Sequence, residues 1–86
     1  MYEARVEILT EIAAEVERAK VHCEHFRSLH EAYAVMLEEL QEVWAITMQK
    51  RQNRNADDLR KELIQVAAMA VKAIESMPNL TGNKNG

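Results

Sequence analysis

Apolar residues recur at helical spacing along almost the whole chain. Leu9, Ile12, Val16, Ala19, Cys23 and Phe26 follow one another at intervals of 3, 4, 3, 4 and 3. That is a heptad seam, and it predicts a first helix from about Tyr2 to Cys23 or beyond. Glu3, Glu7, Glu11 and Glu15 form a stripe on another face of it, read as solvated. Ser28, with Glu31 three residues later, has the form of a capping box. It opens a second helix that runs to about Arg51, with Leu29, Ala32, Tyr33, Met36, Leu37, Leu40, Val43, Trp44 and Thr47 on its apolar arc. The polar, basic stretch 49–55 reads as a short connection. Asn55 then caps a third helix, with Asp57 and Asp58 in the first turn, where the helix dipole favours acids. Leu59, Leu63, Val66, Ala67, Ala70, Ile74 and Met77 share one face, and Pro78 is expected to end the helix.

The fold class expected is therefore all-α, with three long helices in one domain over residues 1–78 and a flexible tail over 79–86. A short connection makes helices two and three antiparallel neighbours. Folding the chain at about residue 53 sets residue 42 level with about 65, and 39 with about 68. Three helices alone leave the seam of helix one, and part of a Val35/Ile46 stripe, uncovered. The bundle is thus expected to be completed by oligomerisation, as a dimer or tetramer.

Composition narrows the functional classes. Hydrophobic residues are 48 % of the chain but aromatics only 5 %, and both glycines and the one proline lie at residue 78 or later. The net charge of −3 argues against a nucleic-acid partner, which calls for a basic surface. No run of about 18 apolar residues exists to span a membrane. The lone Cys23 allows no internal disulfide, which suits a reducing cytoplasm.

The candidate chemistry lies in carboxylates. Helix two carries Glu38, Glu39 and Glu42, and helix three carries Glu62 with Gln65 one turn later. Glu39 and Glu62 sit at the edges of apolar arcs. Val35 and Ile46 bracket the acids one turn away on either side, where a purely solvated face has no reason to carry them. Carboxylates converging at a partly buried spot repel one another unless a counter-ion is present. Mg²⁺, a hard cation that takes oxygen ligands and bridges phosphates, relieves that repulsion, and Mn²⁺ can take its place.

The stretches His30–Trp44 and Lys61–Lys72 resemble the MazG-like all-α nucleotide pyrophosphohydrolases. That family's motif is Glu-x-x-Glu on one helix and Glu-x-x-Asp on the next. Glu39 and Glu42 match the first half. Glu62 begins the second, which has Gln65 in place of Asp. Nineteen residues separate Glu42 from Glu62, which fits the family's interval. The resemblance covers about residues 28 to 76. It implies Mg²⁺-dependent hydrolysis of nucleoside triphosphates, deoxy or non-standard ones among them, to the monophosphate and pyrophosphate. Glu39, Glu42 and Glu62 would be catalytic and would hold the metal. Gln65 would supply a neutral amide ligand that cannot act as a base, so metal affinity should fall. Substrate contacts are expected from Lys72, Lys61, Glu38 and Trp44, although Trp44 also reads as a core residue. Lys50, Arg51 and Arg54 can draw in a triphosphate or simply solubilise the connection. A zinc site from His22, Cys23 and His25 is disfavoured, because Cys23 points into the seam. A nucleotide-binding protein without turnover, and a structural helical module, remain the alternatives.

Overall fold

The computed structural model describes residues 2–81, whose regular structure is all helical: α1 (Tyr2–Lys20), α2 (Leu29–Thr47) and α3 (Ala56–Leu80), with a single 3₁₀ turn at Arg51–Asn53 before α3. The starts of α2 and α3 are capped by side chains. Ser28 Oγ accepts the Glu31 N–H at 3.0 Å. The Glu31 carboxylate reaches back to the Arg27 N–H at 2.7 Å, one residue before the cap itself. Asn55 accepts from the amides of both Asp57 and Asp58.

Two helix ends fall earlier than the pattern predicts and one falls later. α1 stops at Lys20, and tight turns close at Val21 and His22. The last two seam positions, Cys23 and Phe26, therefore lie in the connecting segment, which carries Phe26 into the core. α2 stops at Thr47, where Arg54 folds back and donates to the carbonyls of Thr47 and Gln49. α3 continues through Pro78 to Leu80. Proline lacks a donor for the Ile74 carbonyl, but its fixed φ is itself helical. The Thr81 N–H bonds Met77 O to finish the turn. Of the tail expected over 79–86, Asn79 and Leu80 belong to α3, and residues 82–86 lie outside the described residues.

α3 is the central element. It packs against α2 on one side and α1 on the other, and among the described residues α1 and α2 do not approach each other. The core is the small cluster Val16, Phe26, Ala32, Ala68 and Met69, with Ile12, Ala19, Val35, Met36 and Val71 packed on it. Ser76, fully buried, ties the entry of α2 to the last part of α3: its Oγ accepts the Phe26 N–H at 3.0 Å and donates to Lys72 O at 2.8 Å.

This layout corrects the expected exposure. The seam of α1 is not left open, because Ile12, Val16 and Ala19 are spent on α3, and only Leu9 of the helical seam faces solvent. Nor is the Glu stripe of α1 wholly solvated: Glu11 pairs with Arg60 at 2.5 Å across the groove to α3. The arc of α2 divides instead. Ala32, Met36 and Val43 turn inward, while Leu29, Tyr33, Leu37, Leu40 and Trp44 are exposed. No helix among the described residues is long and apolar enough to cross a membrane.

Candidate metal centre

Glu39 and Glu42, three residues apart on α2, project from adjacent turns towards α3, where Glu62 meets them. One carboxylate oxygen from each lies within 4.8 Å of the other two, and among the described residues this is the one group of three or more such ligands. Glu39 and Glu62 are half-buried and Glu42 is exposed. Local sequence accounts for the placement. Val35 packs on the core one turn before Glu39, and Ile46 lines a cleft one turn after Glu42. The helix is thereby held with its acids at the α2–α3 seam.

The electrostatics are those of crowded acids. Partial burial pushes the Glu39 carboxyl up to about 7, helped by a hydrogen bond to Glu42 and by the charges of Glu42, Glu62 and Glu38. Glu62 is also raised, first by its hydrogen bond to Glu42 and then by burial. Glu42 is lowered, because it accepts from Glu62 and from Glu39. Without a cation, the three acids relieve their repulsion by sharing protons.

A cleft of about 310 Å³ opens beside the triad, lined by Glu42, Ala45, Ile46, Asp58, Lys61 and Glu62. Asp58 adds a fourth acid, one turn before Glu62. Its place in the first turn of α3 suggested only a dipole role, yet the four-residue spacing to Glu62 was the available signal. Lys61 lies on the rim as the cleft's cation, and Glu38 lies beside Glu39 and Glu42 along α2.

Other expected site residues lie elsewhere. Gln65 is not brought to the triad. Three residues past Glu62, it is turned towards α1, where its amide donates to Glu15 Oε2 at 2.5 Å. Lys72 is buried with its ammonium 4.6 Å from the centre of the Phe26 ring, a cation–π contact that keeps it from the cleft. It is also about 15 Å along the helix from Glu62. Trp44 neither packs in the core nor lines the cleft; it is 61 % exposed on another face of α2. Arg54 is occupied in holding the end of α2, whereas Lys50 and Arg51 are exposed. Cys23 Sγ bonds the carbonyl of His25 and forms no metal cluster with the histidines.

Compared with family models, with curated proteins and with solved structures, the chain matches none.

Proposed function

We propose that this protein is a Mg²⁺-dependent nucleoside triphosphate pyrophosphohydrolase, with Mn²⁺ an alternative metal. The observation that carries the reading is the convergence of Glu39, Glu42 and Glu62 from two helices. The donor set fits the ion. Opposite ligands of an octahedral Mg²⁺ stand about 4.2 Å apart, so a spread of 4.8 Å closes with small side-chain rotations. Raised carboxyls mark a site where a dication can take the place of protons, which are released as it binds.

In this reading α2 and α3 run antiparallel, so that each contributes acids to one rim. Glu39, Glu42 and Glu62 would hold the metal, which when bound would supply charge neutralisation on the phosphates. Asp58, in the same cleft, would orient water there through hydrogen bonds. Lys61 meets the outer phosphates as a mobile cation. Water adds to a phosphorus flanking the α–β bridge and the bridging P–O bond breaks. Pyrophosphate leaves, and one triad carboxylate takes the water's proton. The monophosphate remains. Deoxy or non-standard nucleotides are the expected substrates, the chain works as a homo-oligomer, and its lone thiol suits the cytoplasm.

Pyrophosphate release from a panel of standard and modified triphosphates with Mg²⁺ tests the proposal. Turnover that is lost on chelation and in Glu42→Gln supports it, and no release from any member overturns it. One observation favours a second reading, nucleotide binding without turnover: with Gln65 engaged by Glu15, the triad has no fourth protein ligand beyond the exposed Asp58. Mg²⁺-dependent nucleotide binding without product would select that reading.

A further inference from the structure

Among the described residues, the face of α2 that does not meet α3 carries the longest run of exposed large apolar side chains. Leu29, Tyr33, Leu37, Leu40, Trp44 and Met48 are all exposed along it, Tyr33 by 65 % and Trp44 by 61 %. At helical pitch the six fall within an arc about 100° wide. No Asp, Glu, Lys or Arg lies in that arc; the four charges of α2, Glu31, Glu38, Glu39 and Glu42, all lie outside it. Together the six side chains expose on the order of 700 Å² per chain, well above an ordinary surface patch and close to one partner's share of a standard interface.

The order of the residues identifies the occupant. Their spacings are 4, 4, 3, 4 and 4, which read the same in both directions. A second α2 laid antiparallel, with a two-fold axis level with the Glu38–Glu39 peptide, sets Leu29 against Met48, Tyr33 against Trp44 and Leu37 against Leu40. Each layer pairs side chains of similar bulk, aromatic on aromatic and aliphatic on aliphatic, as a self-complementary interface requires. A lipid surface fits less well. In-plane membrane helices carry basic polar faces, whereas every charge on α2 is acidic. On α3, exposed Leu63 is followed by no large exposed apolar side chain until Ile74, so that helix offers no such unbroken run.

We infer that α2 pairs with the α2 of a second copy of this chain, antiparallel about a two-fold axis level with the Glu38–Glu39 peptide but on the opposite side of the helix from those two carboxylates. This rests on the self-association proposed above and not on the metal chemistry, and it names the face and the register.

Light scattering combined with Trp44 emission, from micromolar to submillimolar protein, tests it. A mass near twice 9.9 kDa, with Trp44 emission moving to the blue as the dimer forms, is expected. Leu40→Glu should yield a helical monomer whose melting still responds to Mg²⁺, so a failed interface is distinguishable from a failed metal site. Register is read by cysteine pairing in a Cys23→Ser background. Two copies of residue 33 would lie about 16 Å apart along the antiparallel pair, beyond disulfide reach. Tyr33→Cys alone and Trp44→Cys alone should thus stay unlinked, while a mixture of the two forms a covalent heterodimer. A monomer throughout the concentration range overturns the inference. So does a dimer with solvent-like Trp44 emission, or self-linking by Tyr33→Cys, which marks parallel pairing. A monomer whose Trp44 emission shifts only with anionic vesicles assigns the face to lipid and equally overturns it.

Discussion

The amide of Gln65 donates to Glu15 across the α1–α3 groove at 2.5 Å, which turns it from the carboxylate triad, whose Glu62 lies three residues away. Gln65→Asp should therefore leave Mg²⁺ affinity unchanged while placing a carboxylate against Glu15. Loss of a hydrogen bond to a charged group sets the destabilisation at about 1–3 kcal/mol. Asp58→Asn should do the opposite, weakening Mg²⁺ binding with little change in stability. Calorimetric titration beside denaturant unfolding reads both quantities. Tighter Mg²⁺ binding by Gln65→Asp would return residue 65 to the triad.

The raised carboxyl of Glu39 predicts how metal-free stability varies with pH. The native state keeps a proton there that the unfolded chain releases at 4.5, so the associated stability is complete below 4.5 and lost as pH rises through about 7. Glu62 acts in the same direction. Glu42, held down, acts in the opposite one, its contribution being lost as pH falls. With Glu39 dominant, the melting temperature in chelator should decline from pH 5 to pH 8. Glu39→Gln should flatten the decline and melt above the parent at pH 8. A variant that melts no higher there would show that the acids are not crowded.

Mg²⁺ should remove the repulsion and stabilise the native state by mass action. At ten times its dissociation constant a ligand adds about 1.4 kcal/mol, which in a chain of this size is about 5–10 °C in Tm. Scanning calorimetry with and without Mg²⁺ measures the shift, and it should be largely absent in Glu42→Gln. An equal shift in that variant would place the ion elsewhere.

Ser76 carries a second kind of prediction. It is fully buried, and it alone satisfies the Phe26 N–H at the entry to α2. Ser76→Ala should strand that donor and destabilise the protein by about 1–3 kcal/mol. Urea unfolding measures this, and since the site lies remote from the carboxylates, Mg²⁺ affinity of the folded fraction should not change. A stability within about 0.5 kcal/mol of the parent would mean water replaces the hydroxyl.

The three helices were legible because a 3.6-residue apolar period, two side-chain caps and the lack of glycine before residue 82 agree. Glu39, Glu42 and Glu62 were legible for a related reason: acids at the edges of apolar arcs, bracketed by Val35 and Ile46, fit poorly on a solvated face. What could not be read was which arc meets which. Helix period places Gln65 within 60° of Glu62, but only the position of α1 reveals that Glu15 reaches it first. Lys72 read as a phosphate ligand because burial of its amine depends on Phe26, forty-six residues away and outside any helix. Trp44 read as core, whereas Ile12 belonged to a seam expected to stay uncovered. Tertiary order decided between them, giving α3 to the seam of α1 and leaving half the arc of α2 uncovered.

Because, among the described residues, α1 and α2 each meet α3 and do not approach each other, the molecule has a seam along which it can open in parts. Detaching α1 breaks Arg60–Glu11 and Gln65–Glu15 and uncovers Val16, yet touches none of the contacts that bring Glu39 and Glu42 to Glu62. Amide protons of α1 should therefore exchange through a smaller opening than those of the α2–α3 pair. The α2–α3 pair that holds the carboxylates is then the more persistent unit, and the first helix a detachable brace on α3.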